Sequence, residues 1–209
     1  MSKSCQTEVL IVGGGPVGLC LSMDLARRGV DCLVIERRHA GEPPSVKCNH
    51  VSSRTMEAFR RLGLASAVRA AGLPDDYPND VVLRPRAHGY ELTRIHIPCR
   101  RDRFTDTSGP DGWWPTPEPP HRINQIFLEP VLFANAAALP GIRILNRTEF
   151  REFEQDSSGV TAHAHDLDTG DEWTVRASYI IGCEGSRSLV RRAIGASLTG
   201  DEVIQRVQS

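Results

Sequence analysis

The chain begins with apolar runs separated by a glycine-rich turn and a helical pattern. Residues 9–12 are consecutively apolar, which is typical of a strand buried on both faces of a parallel sheet. Apolar residues then recur at helical spacing over residues 19–26, and Gly29 is placed to end that helix. A second apolar run, Cys32–Ile35, leads directly to Glu36. The pattern therefore predicts the order strand, glycine turn, helix, strand.

The remaining pattern predicts further helices and many short strands. We expect helices over residues 52–62, 64–71, 125–139 and 188–194. We expect strands over residues 81–83, 90–97, 142–145, 149–155, 160–167, 172–177 and 179–181, the last as a separate buried strand. Five prolines between residues 110 and 120 help to keep residues 98–120 in a loop, and turn residues connect the later strands as hairpins. The fold class is α/β, with a parallel sheet and an antiparallel β-meander inserted late.

The first turn carries a dinucleotide-binding pattern, Gly13-x-Gly15-x-x-Gly18, between the predicted strand and helix. Gly13 would permit the tight turn, Gly15 the approach of a pyrophosphate, and Gly18 the packing of helix on strand. The phosphates would face unpaired N–H groups at the helix N-terminus. Glu36 ends the second strand, where a carboxylate is expected to bind ribose hydroxyls and to repel a 2′-phosphate. This pattern alone does not distinguish FAD from NAD.

Composition narrows the class of protein. The 209 residues are 40% hydrophobic and 24% charged with a formal charge of −1, which argues against a disordered chain and against a dedicated nucleic-acid binder. The longest apolar stretch, residues 9–21, is too short and too rich in glycine to span a membrane. The six cysteines form no C-x-x-C pair and are expected to be reduced packing thiols. We expect a cytoplasmic protein that binds neither nucleic acid nor membrane.

Two other features are interpreted as structural, and a third is left open. His163 and His165 share one face of a predicted strand but lack a third ligand nearby in sequence, so we expect an exposed strand face and no metal site. Trp113-Trp114 is equally consistent with covering a ring-shaped ligand and with packing a long loop. A basic stretch is interpreted as a solvated surface rather than a docking face for phosphate or carboxylate; it comprises Arg84, Arg86, Arg94, Arg100, Arg101 and Arg103.

Four segments together resemble the flavoprotein aromatic hydroxylases, the family typified by para-hydroxybenzoate hydroxylase and phenol hydroxylase. These segments are residues 13–18 through Glu36-Arg37, residues 54–64, residues 122–129, and residues 182–191. They occur in the family's order and extend over most of the chain. The resemblance implies a Rossmann-like FAD-binding domain of the para-hydroxybenzoate hydroxylase type, incomplete at its C-terminus, with FAD as cofactor and NADH or NADPH as co-substrate.

The resemblance also implies roles for particular residues. Glu36 would bind the ribose of the adenosine half of FAD, and Gln125 would contact the flavin side. Lys47 stands where the family has an arginine near the phosphates, and Glu184 where it has an aspartate that serves both FAD and the nicotinamide nucleotide. Function and surface exposure remain equal alternatives for Arg54. The expected cofactor-binding residues are Gly13, Gly15, Pro16, Val17, Gly18, Glu36, Arg37, Lys47, Arg54, Gln125, Glu184 and Gly185.

The implied reaction is hydroxylation of a small aromatic, usually phenolic, substrate with O₂. We expect residues 1–197 to form the FAD-binding domain, with strands around 81–97 facing the substrate domain, and residues 198–209 to begin that absent domain. The chain alone would then be incomplete and inactive, with the rest of the same enzyme as its partner; no catalytic residue is assigned. Homo-oligomerisation is left open. The alternatives are another flavin reaction on the same fold (epoxidation, halogenation or dehydrogenation) and a non-enzymatic dinucleotide-binding fragment.

Overall fold

The computed structural model describes residues 2–44, 49–110 and 112–200. Lys47 and residues 201–209, both part of the expectations above, lie outside the described residues. The strands are Ser2–Val12 (β1), Cys32–Ile35 (β2), Val81–Leu83 (β3), Thr93–Ile95 (β4), Ile142–Leu145 (β5), Thr148–Asp156 (β6), Gly159–Asp166 (β7) and Glu172–Gly182 (β8). The helices are Pro16–Ala26 (α1), Ser53–Arg61 (α2), Ala65–Ala71 (α3), Gln125–Ala137 (α4) and Leu189–Ala193 (α5), with a 3-10 turn at Gly185–Arg187.

The main sheet has six strands in the order β5-β2-β1-β8-β7-β6. Strands β5, β2, β1 and β8 run parallel, while β7 and β6 continue from β8 as antiparallel neighbours. Residues 9–12 of β1 and all four residues of β2 are buried, as expected for strands covered on both faces. The predicted α/β class, the parallel sheet and the antiparallel meander are confirmed.

The last strand differs from the prediction. Residues 172–177 and 179–181 were expected to form two strands, but β8 is continuous over 11 residues. Ten register pairs align β8 with the long first strand, which begins at Ser2 rather than at Val9. Tyr179 lies within β8 and is 68% exposed, so the prediction of a buried separate strand was wrong. The apolar run Tyr179-Ile180-Ile181 suggested burial because sequence alone does not show which face of a strand is covered.

Helix ends follow the expected capping chemistry. Ser52 accepts a hydrogen bond from the Thr55 N–H at the start of α2, and Asn124 accepts one from the Ile126 N–H at the start of α4.

Strand β4 covers only three residues of the predicted 90–97, and it pairs antiparallel with β3. Among the described residues, no helix is both long and apolar enough to cross a membrane.

The chain divides into two compact units. The first contains Leu25–Ala40 together with the segments up to Gly18 and from Gly141 onward, and it carries the six-stranded sheet. Its core includes Leu10, Leu33 and Val175. The second contains Leu19–Asp24 and Gly41–Pro140, and it carries α2, α3, α4 and the two-stranded sheet. Met56, Phe59, Val68 and Leu132 are fully buried there. The glycine turn therefore belongs to the first unit.

Candidate functional site: a dinucleotide-binding turn

The glycine turn connects the end of β1 to the start of α1. The Gly13 N–H donates to the Ile35 carbonyl at 2.9 Å, and the Cys183 N–H donates to the Val12 carbonyl at 2.7 Å. Gly13 has φ +106°, a conformation that side chains rarely adopt. A Cβ at Gly13 would lie 2.6 Å from the Cys183 carbonyl oxygen. Gly13 is therefore required by the close approach of the loop that follows β8.

The other two glycines of the motif, Gly15 and Gly18, differ in what a side chain at their positions would meet. A Cβ at Gly18 would overlap the Gly13 carbonyl oxygen, so the turn itself excludes a side chain at that position. A Cβ at Gly15 would meet nothing within 4 Å. Gly15 therefore leaves open space beside the N-terminus of α1, where the first-turn N–H groups have no partner within the helix. A pyrophosphate fits this arrangement, because it needs close backbone approach and a partial positive charge.

Glu36 follows β2 and turns its carboxylate toward the glycine turn. Its Oε2 accepts from the Gly14 N–H at 2.8 Å, and its Oε1 accepts from the Arg38 N–H at 2.9 Å and from Arg38 Nε at 3.1 Å. The side chain is 13% exposed. A carboxylate offers about four acceptor positions. Three are occupied within the chain, so one remains for a hydroxyl group of a ligand.

Arg38 was missed by the sequence analysis, although it orients Glu36 through both its backbone and its guanidinium. Its main chain also accepts from the Arg147 N–H at 3.2 Å and from Asn146 Nδ2 at 3.2 Å. The available signal was a cation two residues after a strand-ending acid. The neighbouring Arg37 is 72% exposed in its side chain and reaches Glu149 at 3.8 Å.

Glu184 directs its carboxylate to the first turn of α5. Oε1 accepts from the Leu189 N–H at 2.8 Å and from the Val190 N–H at 3.3 Å. Oε2 accepts from the Ser188 hydroxyl. A Cβ at Gly182 would lie 2.8 Å from Oε2, so this arrangement also requires a glycine two residues earlier. In this structure Glu184 acts as the cap of a short helix, and the loop that carries it contacts Gly13 through its backbone.

Two of the expected cofactor-binding residues, Gln125 and Arg54, belong to the second unit. Gln125 is the first residue of α4, and its Nε2 donates to Glu129 Oε1 at 2.6 Å on the same helix. Arg54 lies exposed on α2, and its guanidinium has no hydrogen bond or ion pair among the described residues. The structure thus brings the glycine turn and Glu36 together within the first unit, and it places Arg54 and Gln125 in the second.

The interpretations of the other features fare unequally. Ala162 and Ala164 are buried, and His163 and His165 alternate with them along β7, but both histidines are half-buried rather than exposed as expected. Among the described residues, no group of three side chains is placed to hold a metal ion. None of the described cysteines forms a disulfide bond. The basic stretch is not uniformly solvated: Arg103 is only 4% exposed, with its guanidinium 5.5 Å from the Trp114 ring. That part of the interpretation was wrong because aromatic packing covers the arginine.

The sequence model of the FAD-binding domain family matches residues 6–209. This chain belongs to the FAD-binding domain family. Curated relatives include 2,4-dichlorophenol 6-monooxygenase of Cupriavidus pinatubonensis, 32% identical over 203 residues that cover 96% of this chain and 32% of the relative. Phenol 2-monooxygenase of a Pseudomonas species is 34% identical, over 92% of this chain and 31% of the relative.

Solved structures agree with this assignment. The crystal structure of the flavin-dependent monooxygenase PieE in complex with FAD and substrate matches with a TM-score of 0.82 and 33% identity. The match covers 94% of this chain and 33% of PieE. The predicted family, fold and FAD cofactor are confirmed for this FAD-binding domain. The chain spans about a third of the length of the relatives it matches.

Proposed function

We propose that this FAD-binding domain is part of a flavin-dependent monooxygenase that hydroxylates a phenolic substrate with NAD(P)H and O₂. The observation that carries the proposal is the open space at Gly15 beside the α1 N-terminus, next to the oriented carboxylate of Glu36. The substrate class is supported by the two relatives, whose names state phenol and 2,4-dichlorophenol as substrates. Bound FAD would supply the redox chemistry with the nicotinamide and with O₂.

The chain's own residues would bind and orient the cofactor. The turn from Gly13 to Gly18 would bind the phosphates through its backbone and through the dipole of α1, with Pro16 and Val17 starting that helix. Glu36 would accept a ribose hydroxyl with its remaining acceptor position. We propose further contacts from Arg37, Lys47, Arg54 and Gln125, while Glu184 and Gly185 would act through the loop that contacts Gly13.

We also propose that residues 1–197 form the FAD-binding domain and that the sheet β3–β4 faces a substrate domain. Apolar side chains on and beside this sheet are exposed, namely Val81, Leu83, Tyr90, Leu92 and Ile95. Exposed apolar patches of this kind mark surfaces that bind other protein surfaces. The rest of a monooxygenase of the relatives' length is the partner that this proposal requires.

Two measurements test the proposal. The purified 209-residue chain is denatured and the released nucleotide is identified and counted; we expect FAD, up to one per chain. Bound NAD in place of FAD would contradict the cofactor assignment. In the full-length enzyme we expect a phenol to stimulate NAD(P)H oxidation with matching formation of hydroxylated product. FAD binding combined with substrate-independent oxidation and no hydroxylated product would retain the cofactor but overturn the hydroxylase.

A further inference from the structure

A small recess in the second unit is lined by cationic side chains. Its cavity volume is about 20 Å³, and it opens to solvent. The ionisable lining residues are Arg69, Arg100, Arg103, Arg122, His50 and His121, and none of the described lining residues is acidic. These residues come from four separate segments of the chain. We call this feature the arginine recess.

The arginines of the recess differ in how their charge is compensated. Arg69 donates to Glu118 Oε2 at 2.7 Å and to the Pro119 carbonyl at 3.0 Å, so its charge is paired inside the fold. Arg100 donates to the Arg69 carbonyl and has no carboxylate partner among the described residues. The guanidinium groups of Arg69 and Arg100 therefore share a single acid, Glu118, among the described residues.

Arg122 is the most informative of the four. It is only partly exposed, its Nε is fully buried, and its guanidinium makes no hydrogen bond or ion pair within the described part of the chain. A buried guanidinium N–H without a partner is costly, since it loses hydration without gaining a hydrogen bond. Its planar array of donors matches the oxygen atoms of a carboxylate or phosphate.

The buried histidine of the recess does not supply the missing negative charge. His121 is 5% exposed, and its ring hydrogen-bonds the Val68 backbone. Its Nε2 lies against Gly72 and has no hydrogen-bond partner among the described residues. Burial lowers the pKa of His121 to about 4, with the charges of Arg69 and Arg100 acting in the same direction. The ring is therefore neutral at pH 7, and the charges of Arg100 and Arg122 have no carboxylate partner among the described residues of the recess.

We propose that the arginine recess binds a small oxyanion, with the guanidinium groups of Arg100 and Arg122 as its principal ligands. The bound oxygens would replace the counter-ion that the fold does not provide. The small size of the recess limits the ligand to a phosphate or to a carboxylate group of a small molecule. This proposed site does not involve the glycine turn, because none of the residues assigned to the dinucleotide lines the recess.

Thermal unfolding of the 209-residue chain in sodium phosphate, compared with sodium chloride at equal ionic strength, tests this site. A saturable rise in Tm of about 3–5 °C is expected once phosphate exceeds its Kd about tenfold. Arg122→Gln should abolish the saturable rise, and Arg122→Lys should retain only part of it because the planar fork is lost. Arg86→Gln removes an exposed arginine of the same unit and should respond as the wild type.

Sodium succinate provides the second arm of the experiment. A response to phosphate alone assigns a phosphate ligand, and a response to succinate alone assigns a carboxylate. If Arg122→Gln does not fold, as judged by far-UV circular dichroism, Arg100→Gln takes its place. A linear rise in Tm of the same size in wild type and variant would be a general salt effect and would overturn the proposal. The absence of any response to both anions would overturn it as well.

Discussion

The glycine turn of the first unit and the arginine recess of the second unit differ in how far their charged side chains are paired within the fold. In the first region, both oxygens of Glu36 and of Glu184 accept hydrogen bonds from nearby groups of the same unit. In the second, Arg122 is partly buried without a partner among the described residues, and Arg100 is bonded only to a carbonyl. The negative groups are held in place by the fold, whereas the positive ones are not.

This difference indicates which features need a ligand to explain them. Gly13 and Gly18 are required by backbone contacts inside the chain, and Glu36 is oriented by Gly14 and Arg38. Among these features of the glycine turn, the open position of Gly15 is the one that packing of the described residues does not explain. In the arginine recess, the guanidinium groups of Arg100 and Arg122 have no carboxylate partner among the described residues. A preorganised turn and an uncompensated recess are thus two different kinds of binding site.

Substitution of the motif glycines separates structural from ligand-related requirements and should give the largest effect. Gly13→Ala would place a Cβ 2.6 Å from the Cys183 carbonyl oxygen on a residue with φ +106°. We expect the free energy of unfolding to fall by about 3–4 kcal/mol, from strain and the forced displacement of the β8 loop. Urea denaturation followed by circular dichroism measures this change.

Gly15→Ala is the matched control, since its Cβ meets nothing within 4 Å. Its stability should stay within about 0.5 kcal/mol of the wild type. FAD affinity should nevertheless fall at least about tenfold, because the methyl group would occupy the space assigned to the pyrophosphate. Equal destabilisation by the two substitutions, or unchanged FAD affinity in Gly15→Ala, would contradict the distinction between these glycines.

The glycine turn could be predicted from sequence because its determinants are local. Gly13, Gly15 and Gly18 lie within six residues, and Glu36 follows the next strand, so spacing alone brings them together. The capping role of Glu184 was not predicted, because it depends on how the loop after β8 folds back onto α5. The motif spacing does not include Arg38, although a cation two residues after the strand-ending acid was an available signal for its contact with the Glu36 carboxylate.

The arginine recess could not be predicted from the sequence, because its residues are far apart along the chain. Arg69, Arg100 and Arg122 are separated by more than twenty residues each, and the chain carries 25 Lys and Arg in total. The stretch that includes Arg100 and Arg103 was interpreted as a solvated surface because nearby acidic residues reduce its net positive charge. Only tertiary packing shows that Arg103 is covered by Trp114 and that Arg122 is half-buried with no counter-ion in the described part of the chain.

The neutral state of His121 makes the second unit sensitive to acid. Its folded pKa of about 4 lies below the ordinary value of 6.5, so the unfolded chain binds the proton more readily. This contribution to stability is present above pH 6.5 and is lost as the pH falls toward 4. Between pH 7 and pH 4.5 we expect a loss of about 2 kcal/mol from this group. Urea denaturation at the two pH values measures it.

The control for this pH dependence is a comparison of histidine variants. His121→Gln should lose about 2 kcal/mol less than the wild type on acidification, and His88→Gln, at an exposed position, should lose as much as the wild type. Arg69, Arg100 and His50 surround His121, so bound phosphate should shift its midpoint upward by offsetting their charge. An acid loss that is identical in His121→Gln and wild type would show that the ring is not held neutral.

Glu184 offers the smallest and most discriminating test of the first region. Because its carboxylate caps α5, Glu184→Gln should lower the free energy of unfolding by about 1 kcal/mol through the loss of charge at the helix N-terminus. FAD affinity, measured by fluorescence titration, should change less than about threefold, since the side chain acts on the loop rather than on the cofactor. Glu154→Gln, on an exposed position of β6, should change neither quantity. A loss of FAD affinity beyond tenfold with unchanged stability would instead place the Glu184 carboxylate in direct contact with the cofactor. The hydrogen bonds within the first unit would then no longer account for the role of this carboxylate.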